Sequence, residues 1–280
     1  MAEITVAQIS KLRGRTGAGI MDCKKALGEA EGDLDGAIEW LRKKGAATAE
    51  KKSSRATTEG VIARHLAADG QSGTLVEINC ETDFSAKNEK FLEFCDGLAV
   101  ALKENPEADL EARRQAAVAE TGENIQIARH ESLTINGSGA VAAYIHHGNK
   151  VGVLIAVETG AEASAGSESF KALLGDLTLQ ITATSPMAVG RDGLDQAKVQ
   201  KERDFAAEQF KDKPAQAIEN IVKGKMEKYF AEVCLLDQPF VKQDDRSVQD
   251  HIAAVGKELD DEGLAVKGFL RFQVGETQED

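Results

Sequence analysis

The stretch Thr74–Leu102, TLVEINCETDFSAKNEKFLEFCDGLAVAL, has a counterpart 79 residues later, VLIAVETGAEASAGSESFKALLGDLTLQI, Val153–Ile181. No gap is needed to align them. Leu75 falls on Leu154, Ser85 on Ser164, Glu89 on Glu168, Phe91 on Phe170 and Leu98 on Leu177. Upstream, Gly60 falls on Gly139 and Gly73 on Gly152. TLVEI and VLIAV are short, apolar and rich in β-branched residues, as buried strands are. After them, Phe91, Phe94, Cys95, Leu98 and Leu102 repeat as Phe170, Leu173, Leu174, Leu177 and Ile181. The spacing i, i+3, i+4, i+7, i+11 is the apolar stripe of a helix. Asn88 falls on Ser167, and both are residues that cap a helix N-terminus. Each copy therefore reads strand, turn, strand, loop, helix. NIQIARHESLTI and GFLRFQV supply a third strand for each sheet. The expected class is α+β, with antiparallel sheets and helices on one side of each.

Outward from the repeat, residues 4–44 read as three short helices. Thr5 followed by Gln8 is a capping-box pattern. Val6, Ile9 and Leu12 form the first stripe, TGAG (16–19) breaks it, and a second helix covers about 21–30. The third carries Leu34, Ile38 and Leu41 and is expected to end at Gly45, a C-cap residue. AATAEKKSSR (46–55) has no large apolar residue and reads as a linker. The expected organisation is a three-helix head at 1–45, a linker at 46–57, and two core units at 58–138 and 139–280. A helical hairpin is inserted at about 191–233, turning at Lys213-Pro214. It reads either as a projecting arm or as a pair lying on its own domain.

The chain has 280 residues and a net charge of −13, so phosphate backbones repel it and direct nucleic-acid binding is not expected. Met1–Arg55 runs against this trend, with eleven Lys/Arg and eight Asp/Glu. A basic head on an acidic body suits a protein partner. No apolar run nears the ~20 residues of a membrane span. MAEITVAQISKLRGR is not a signal peptide, so the cytoplasm, or an organelle interior after loss of a transit peptide, is the expected location, with the cytoplasm taken first. The four cysteines lack CxxC spacing and stand apart from the five histidines, so buried thiols are expected rather than zinc or disulfides. RTGAGIM lacks the Lys-Ser/Thr of a phosphate-binding loop, and no nucleophile–His–acid or HExxH pattern occurs. Neither enzyme chemistry nor a cofactor is indicated.

The joint between strand and helix holds the residues that set the copies apart. Thr82, Asp83 and Phe84 fall on Ala161, Glu162 and Ala163. The second unit does without the aromatic, so folding does not demand Phe84. The ring either tucks into its own core or stands exposed as an interface anchor. His146-His147, before Gly148-Asn149, falls in a turn between strands and reads as a solvated turn or a partner contact.

KLRGRTGAGIMDCKKAL, NCETDF, GENIQIARH, HHGNKVGVL, KMEKYFAEVCLLDQPFV and GFLRFQVGE together resemble the elongation factor Ts family in order and spacing. The resemblance implies a guanine-nucleotide exchange factor for elongation factor Tu. It also implies a ubiquitin-associated-like head, two related core subdomains, and a coiled-coil insertion through which some members dimerise. The oligomeric state of this chain stays open. The family's Thr-Asp-Phe loop, which disturbs the partner's magnesium site, lies on Thr82, Asp83 and Phe84. The next position, Val in most members, is Ser85. The partner contacts of the family fall on Arg13, Ile20, Met21, Thr121, Gly122, His147 and Gly148. Many members continue into a C-terminal helix that packs on the partner. This sequence ends GETQED (275–280), so that contact is expected to be missing. A plain interaction module, binding a partner without changing nucleotide release, is the rival class.

Overall fold

The computed structural model describes residues 4–276. Residues 1–3 and 277–280 lie outside it, and with them the expected loss of a C-terminal helix. The architecture is α+β.

The head is formed by α1 (Val6–Thr16), α2 (Ile20–Glu29) and α3 (Leu34–Lys52). Thr5 and Gln8 make the expected capping box. Leu12, Cys23, Ala26, Leu27 and Ala37 form the head's own core, but Val6 is 83% exposed and takes no part in it. The third helix does not end at Gly45. It runs on to Lys52, so 46–52 of the expected linker is helical. Two causes are visible. AATAEKK is rich in strong helix formers. Gly45 is also not a cap: a Cβ on it would lie 3.3 Å from the Gln115 carbonyl of α6 (Glu111–Thr121), so it marks a close helix crossing. Ala49, one turn on, is buried in the first core unit. That unit's small neighbours at this crossing are why a segment without large side chains is a packed helix.

The first unit contains β1 (Glu59–Leu66), β2 (Ser72–Cys80), α4 (Asp83–Ala86), α5 (Glu89–Glu104), α6 and β3 (Ile125–Thr134). The second contains β4 (Gly139–Ile145), β5 (Val151–Glu158), α7 (Glu162–Ala165) and α8 (Glu168–Thr184). The hairpin α9 (Gln196–Glu208) and α10 (Ala215–Val233) follows. Then come β6 (Pro239–Phe240), β7 (Gln243–Ser247), α11 (Val248–Glu258) and β8 (Ala265–Gln273). The sheets run β1-β2-β3 and β4-β5-β8, all antiparallel. Both N-caps act as expected: Asn88 accepts from the Lys90 N–H and Ser167 from the Phe170 N–H. Even the bulges match, at Glu77/Ile78 and Ala156/Val157.

Every residue of β2 is buried, because both faces of the sheet are covered. Val76, Ile78 and Cys80 face α5 and α6. Leu75 joins Ile62, Val141, Leu154, Ala156 and Phe272 in a layer between the two sheets. The order of layers is helix, sheet, sheet, helix. The seam is reciprocal under the 79-residue offset. The Val141 N–H donates to the Gly70 carbonyl (2.8 Å) and the Ile62 N–H to the Asn149 carbonyl (2.7 Å). Gln71 Nε2 donates to the Gly139 carbonyl (3.1 Å) and Lys150 Nζ to the Gly60 carbonyl (3.0 Å). Each unit thus lays its first turn against the edge strand of the other. Arg129 spans the seam, bonding Glu77 at 2.8 Å and covering the Phe272 ring at 4.1 Å. In the hairpin, Val199, Met226 and Phe230 close on Ala188 and Cys234 at its base. Phe205, further along α9, is exposed.

Candidate functional site

The strand–helix joint is a single helical turn, not the expected loop. Thr82 caps it, its hydroxyl accepting from the Ser85 N–H at 3.3 Å. A four-residue helix is too short to show a period, so sequence reasoning had no signal for it. Ala86 points into the core and Phe84 points away, 83% exposed. Of the two readings of Phe84, the tucked ring is therefore excluded. Asp83 pairs with Lys87 at 2.7 Å, and that bond holds the Asp83 carboxyl below its ordinary value. Ser85 is half-buried.

Two carboxylates fix the turn from below. Glu123 Oε2 accepts the N–H groups of Glu81 and Thr82, each at 3.1 Å, and Oε1 accepts the Thr82 hydroxyl at 2.6 Å. Glu81 in return accepts the Asn124 N–H at 2.6 Å. That bond, with help from Arg55, lowers the Glu81 pKa from its ordinary value. Glu123 was not singled out from the sequence. It stands 41 residues from Thr82, in the GENIQI segment whose neighbours Thr121 and Gly122 were, and only folding brings it beneath the joint.

Thr121 and Gly122 end α6, with Gly122 in the left-handed region at φ +74°. The Gly122 carbonyl accepts from Lys52 of α3. A cleft of about 360 Å³ opens between α4, the start of α5 and the end of α6, lined among others by Phe84, Phe94, Lys90, Glu120 and Thr121. Lys90 and Glu120 pair across it at 2.5 Å. The turn between α1 and α2 stands at the same end of α6: a Cβ on Gly17 would lie 3.2 Å from the Glu120 carboxylate. Beside that turn, Ile20 and Met21 are 57% and 75% exposed, and Arg13 is exposed on α1. The head residues, the Thr121–Gly122 turn and Phe84 are thus gathered around one end of α6.

His147 and Gly148 occupy the β4–β5 turn and are exposed, with Gly148 at φ +83°. Lys150, on the same turn, pairs with Glu59 at 2.5 Å. Glu59 lies opposite Cys80 in the sheet, two residues before Thr82. The reciprocal seam therefore delivers the second unit's histidine turn to the end of the first sheet that carries the joint. Among the described residues no His, Cys, Asp and Glu cluster could hold a metal ion. Cys23, Cys80, Cys95 and Cys234 are all buried.

The carboxylate-held Phe84 ring thus stands exposed beside a cleft that it shares with the end of α6. The family model of elongation factor TS matches residues 81–276, beginning at the first residue of the joint. The chain is 40% identical to elongation factor Ts of Trichlorobacter lovleyi, covering 99% of this chain and 94% of that protein. It is 38% identical to elongation factor Ts of Halothermothrix orenii, covering 98% and 93%. This chain belongs to the elongation factor Ts family. Membership in that family implies a role in translation elongation. The matched segment holds the joint, the Thr121–Gly122 turn and the His147–Gly148 turn. The head lies before it, yet is covered by the near full-length similarity to the relatives. Among the described residues no helix is long and apolar enough to cross a membrane.

Proposed function

We propose that this protein binds elongation factor Tu in its GDP form and drives release of the nucleotide by disturbing the magnesium and phosphate site. It then holds the empty partner until GTP enters. The observation that carries the proposal is the Phe84 ring, 83% exposed on a helical turn that is itself fixed at three points. Such a ring gains nothing from folding. Burying it in a partner returns about 2–3 kcal/mol. Linkage then requires that a nucleotide which opposes this insertion is expelled by the same factor. No covalent step is involved, so no acid, base or resident cofactor is needed. A GTPase holds its nucleotide through a phosphate loop and a bridging magnesium ion. The wedge acts on that ion's surroundings, with Thr82 and Ser85 shaping its base and Asp83 adding negative charge near the phosphates. Arg13, Ile20, Met21, Thr121 and Gly122 grip the domain around the nucleotide. His147 and Gly148 grip a second domain, so the wedge pushes in a defined direction. The work is done in the cytoplasm.

Stopped-flow release of fluorescent GDP from elongation factor Tu tests this. Phe84→Ala lowers the maximal release rate by at least about tenfold, corresponding to about 1.4 kcal/mol of the burial energy. The melting temperature stays unchanged, because the ring touches little of its own core. An unchanged release rate refutes the wedge. Binding without accelerated release by the unmodified protein establishes a plain interaction module instead.

A further inference from the structure

We infer that Glu123 is a positioning residue for nucleotide release: its carboxylate fixes the helical turn that presents Phe84. The inference rests on the wedge reading of Phe84. One carboxylate makes three hydrogen bonds here, to the Glu81 N–H, the Thr82 N–H and the Thr82 hydroxyl. The third bond decides the geometry. By donating its proton to Glu123, the Thr82 hydroxyl turns its lone pairs to the Ser85 N–H, which starts α4. The direction of Phe84, two residues after Thr82, follows from that cap. Charge-assisted bonds of this kind are short and strong, and the 2.6 Å separation is in their range.

The second unit separates what folding needs from what this bond adds. There Asp261 accepts the N–H groups of Gly160 and Ala161, at 2.9 and 3.1 Å. These are the residues that align with Glu81 and Thr82. A carboxylate beneath the joint is therefore part of the repeated fold. Ala161 has no hydroxyl, and α7 forms without a side-chain cap. In that unit the hydroxyl on the carboxylate is Ser164, inside α7. A bond from the N-cap hydroxyl itself, Thr82 to Glu123, occurs in the unit that carries the aromatic and has no counterpart at Ala161, so α7 forms without it. Glu123 also follows Gly122, whose carbonyl accepts from Lys52. The head's third helix, the Thr121–Gly122 turn and the Phe84 turn are thus joined in series through two side chains, Lys52 and Glu123.

The test is fluorescent-GDP release from elongation factor Tu at increasing concentrations of Glu123→Ala, Glu123→Gln, Phe84→Ala and the Glu123→Ala/Phe84→Ala double variant. Asp261→Ala serves as the comparison, and every melting temperature is measured. The inference expects Glu123→Ala to lower the maximal rate about tenfold while the half-saturating concentration shifts less than about twofold, since the docking residues are untouched. In the Phe84→Ala background the same change has no further effect. Asp261→Ala lowers the melting temperature but not the maximal rate, which a merely structural role for the clamp would not produce. Glu123→Gln retains one carbonyl acceptor and falls between, and it carries the test should the alanine variant not fold. Full activity of the Glu123 variants, an equal loss in the Phe84→Ala background, or an equal loss from Asp261→Ala overturns the inference while leaving the wedge intact. No loss from Phe84→Ala overturns the wedge itself, and the inference with it.

Discussion

Gly152→Ala should pry the two sheets apart. Gly152 sits at the start of β5, and a Cβ placed there lies 2.5 Å from Ile62 Cγ2 of the opposite sheet and 3.0 Å from Ile145 Cδ1 of its own. Carbon atoms in contact stand about 3.5–4.0 Å apart, so roughly 1 Å must be found. Ile62 cannot supply it easily. It is 2% exposed, and a β-branched side chain in a strand has little rotamer freedom. The seam is also pinned nearby by the Ile62 N–H bond to the Asn149 carbonyl and by Lys150 on Gly60. Overpacking of this kind destabilises by about 1–3 kcal/mol. At about 2 kcal/mol the melting temperature of a protein this size falls by about 4–8 °C. Circular dichroism melts and urea titrations read the loss. A double-mutant cycle assigns it: Ile62→Ala removes the clashing methyl, so the pair of changes is less damaging than their sum by at least about 0.5 kcal/mol. An unchanged melting temperature for Gly152→Ala, or additivity with Ile62→Ala, refutes the claim that the sheets approach this closely.

The thiols give a second check. Burial pushes Cys80 and Cys234 up to about 11 and raises Cys23 and Cys95 as well, so none of the four reacts readily with a thiol reagent near about pH 8 until urea is added. Fast labelling of the native protein contradicts the packing. A third concerns acid. The Asp261 pKa is lowered from 3.8, first by the Ser164 side chain and then by the Gly263, Ala161 and Gly160 N–H groups. Its folded pKa lies below its unfolded one. Its contribution to stability is therefore full above the unfolded value and is lost as pH falls through the folded value. Urea midpoints measured from neutral pH downward should drop less steeply below about pH 4 in Asp261→Asn, from a lower starting point. A parallel drop in both proteins is the contrary result.

The features legible in the sequence are those whose causes are local. The stripes that bury Phe91 and Phe170 follow helical spacing, and Asn88 and Ser167 cap their helices from two or three residues away. The strands declare themselves by short β-branched runs between glycines. The repeat adds a comparison within one chain, and it marks Phe84 as unneeded for folding. Family resemblance supplied the remaining contact residues, and the structure gathers several of them around the end of α6. The segment Glu111–Thr121 carried no clear stripe, because its buried side chains are only Ala117 and Val118. Small residues suffice there since Gly45 and Ala49 lie against that helix. For the same reason α3 runs past Gly45 to Lys52: a segment of small and polar residues reads as a linker until a partner surface is present.

From the sequence alone came two copies of a strand–strand–helix unit, a helical head and a joint that differs between copies. Tertiary structure decided how these face one another. The sheets bury their second faces on each other, each unit's turn reaches the other's edge strand, and Glu123 arrives beneath Thr82 from 41 residues away. A helix or a cap is determined by neighbours within a turn or two. A seam or a clamp joins groups whose separation along the chain carries no period and no motif, so only the folded backbone brings them together.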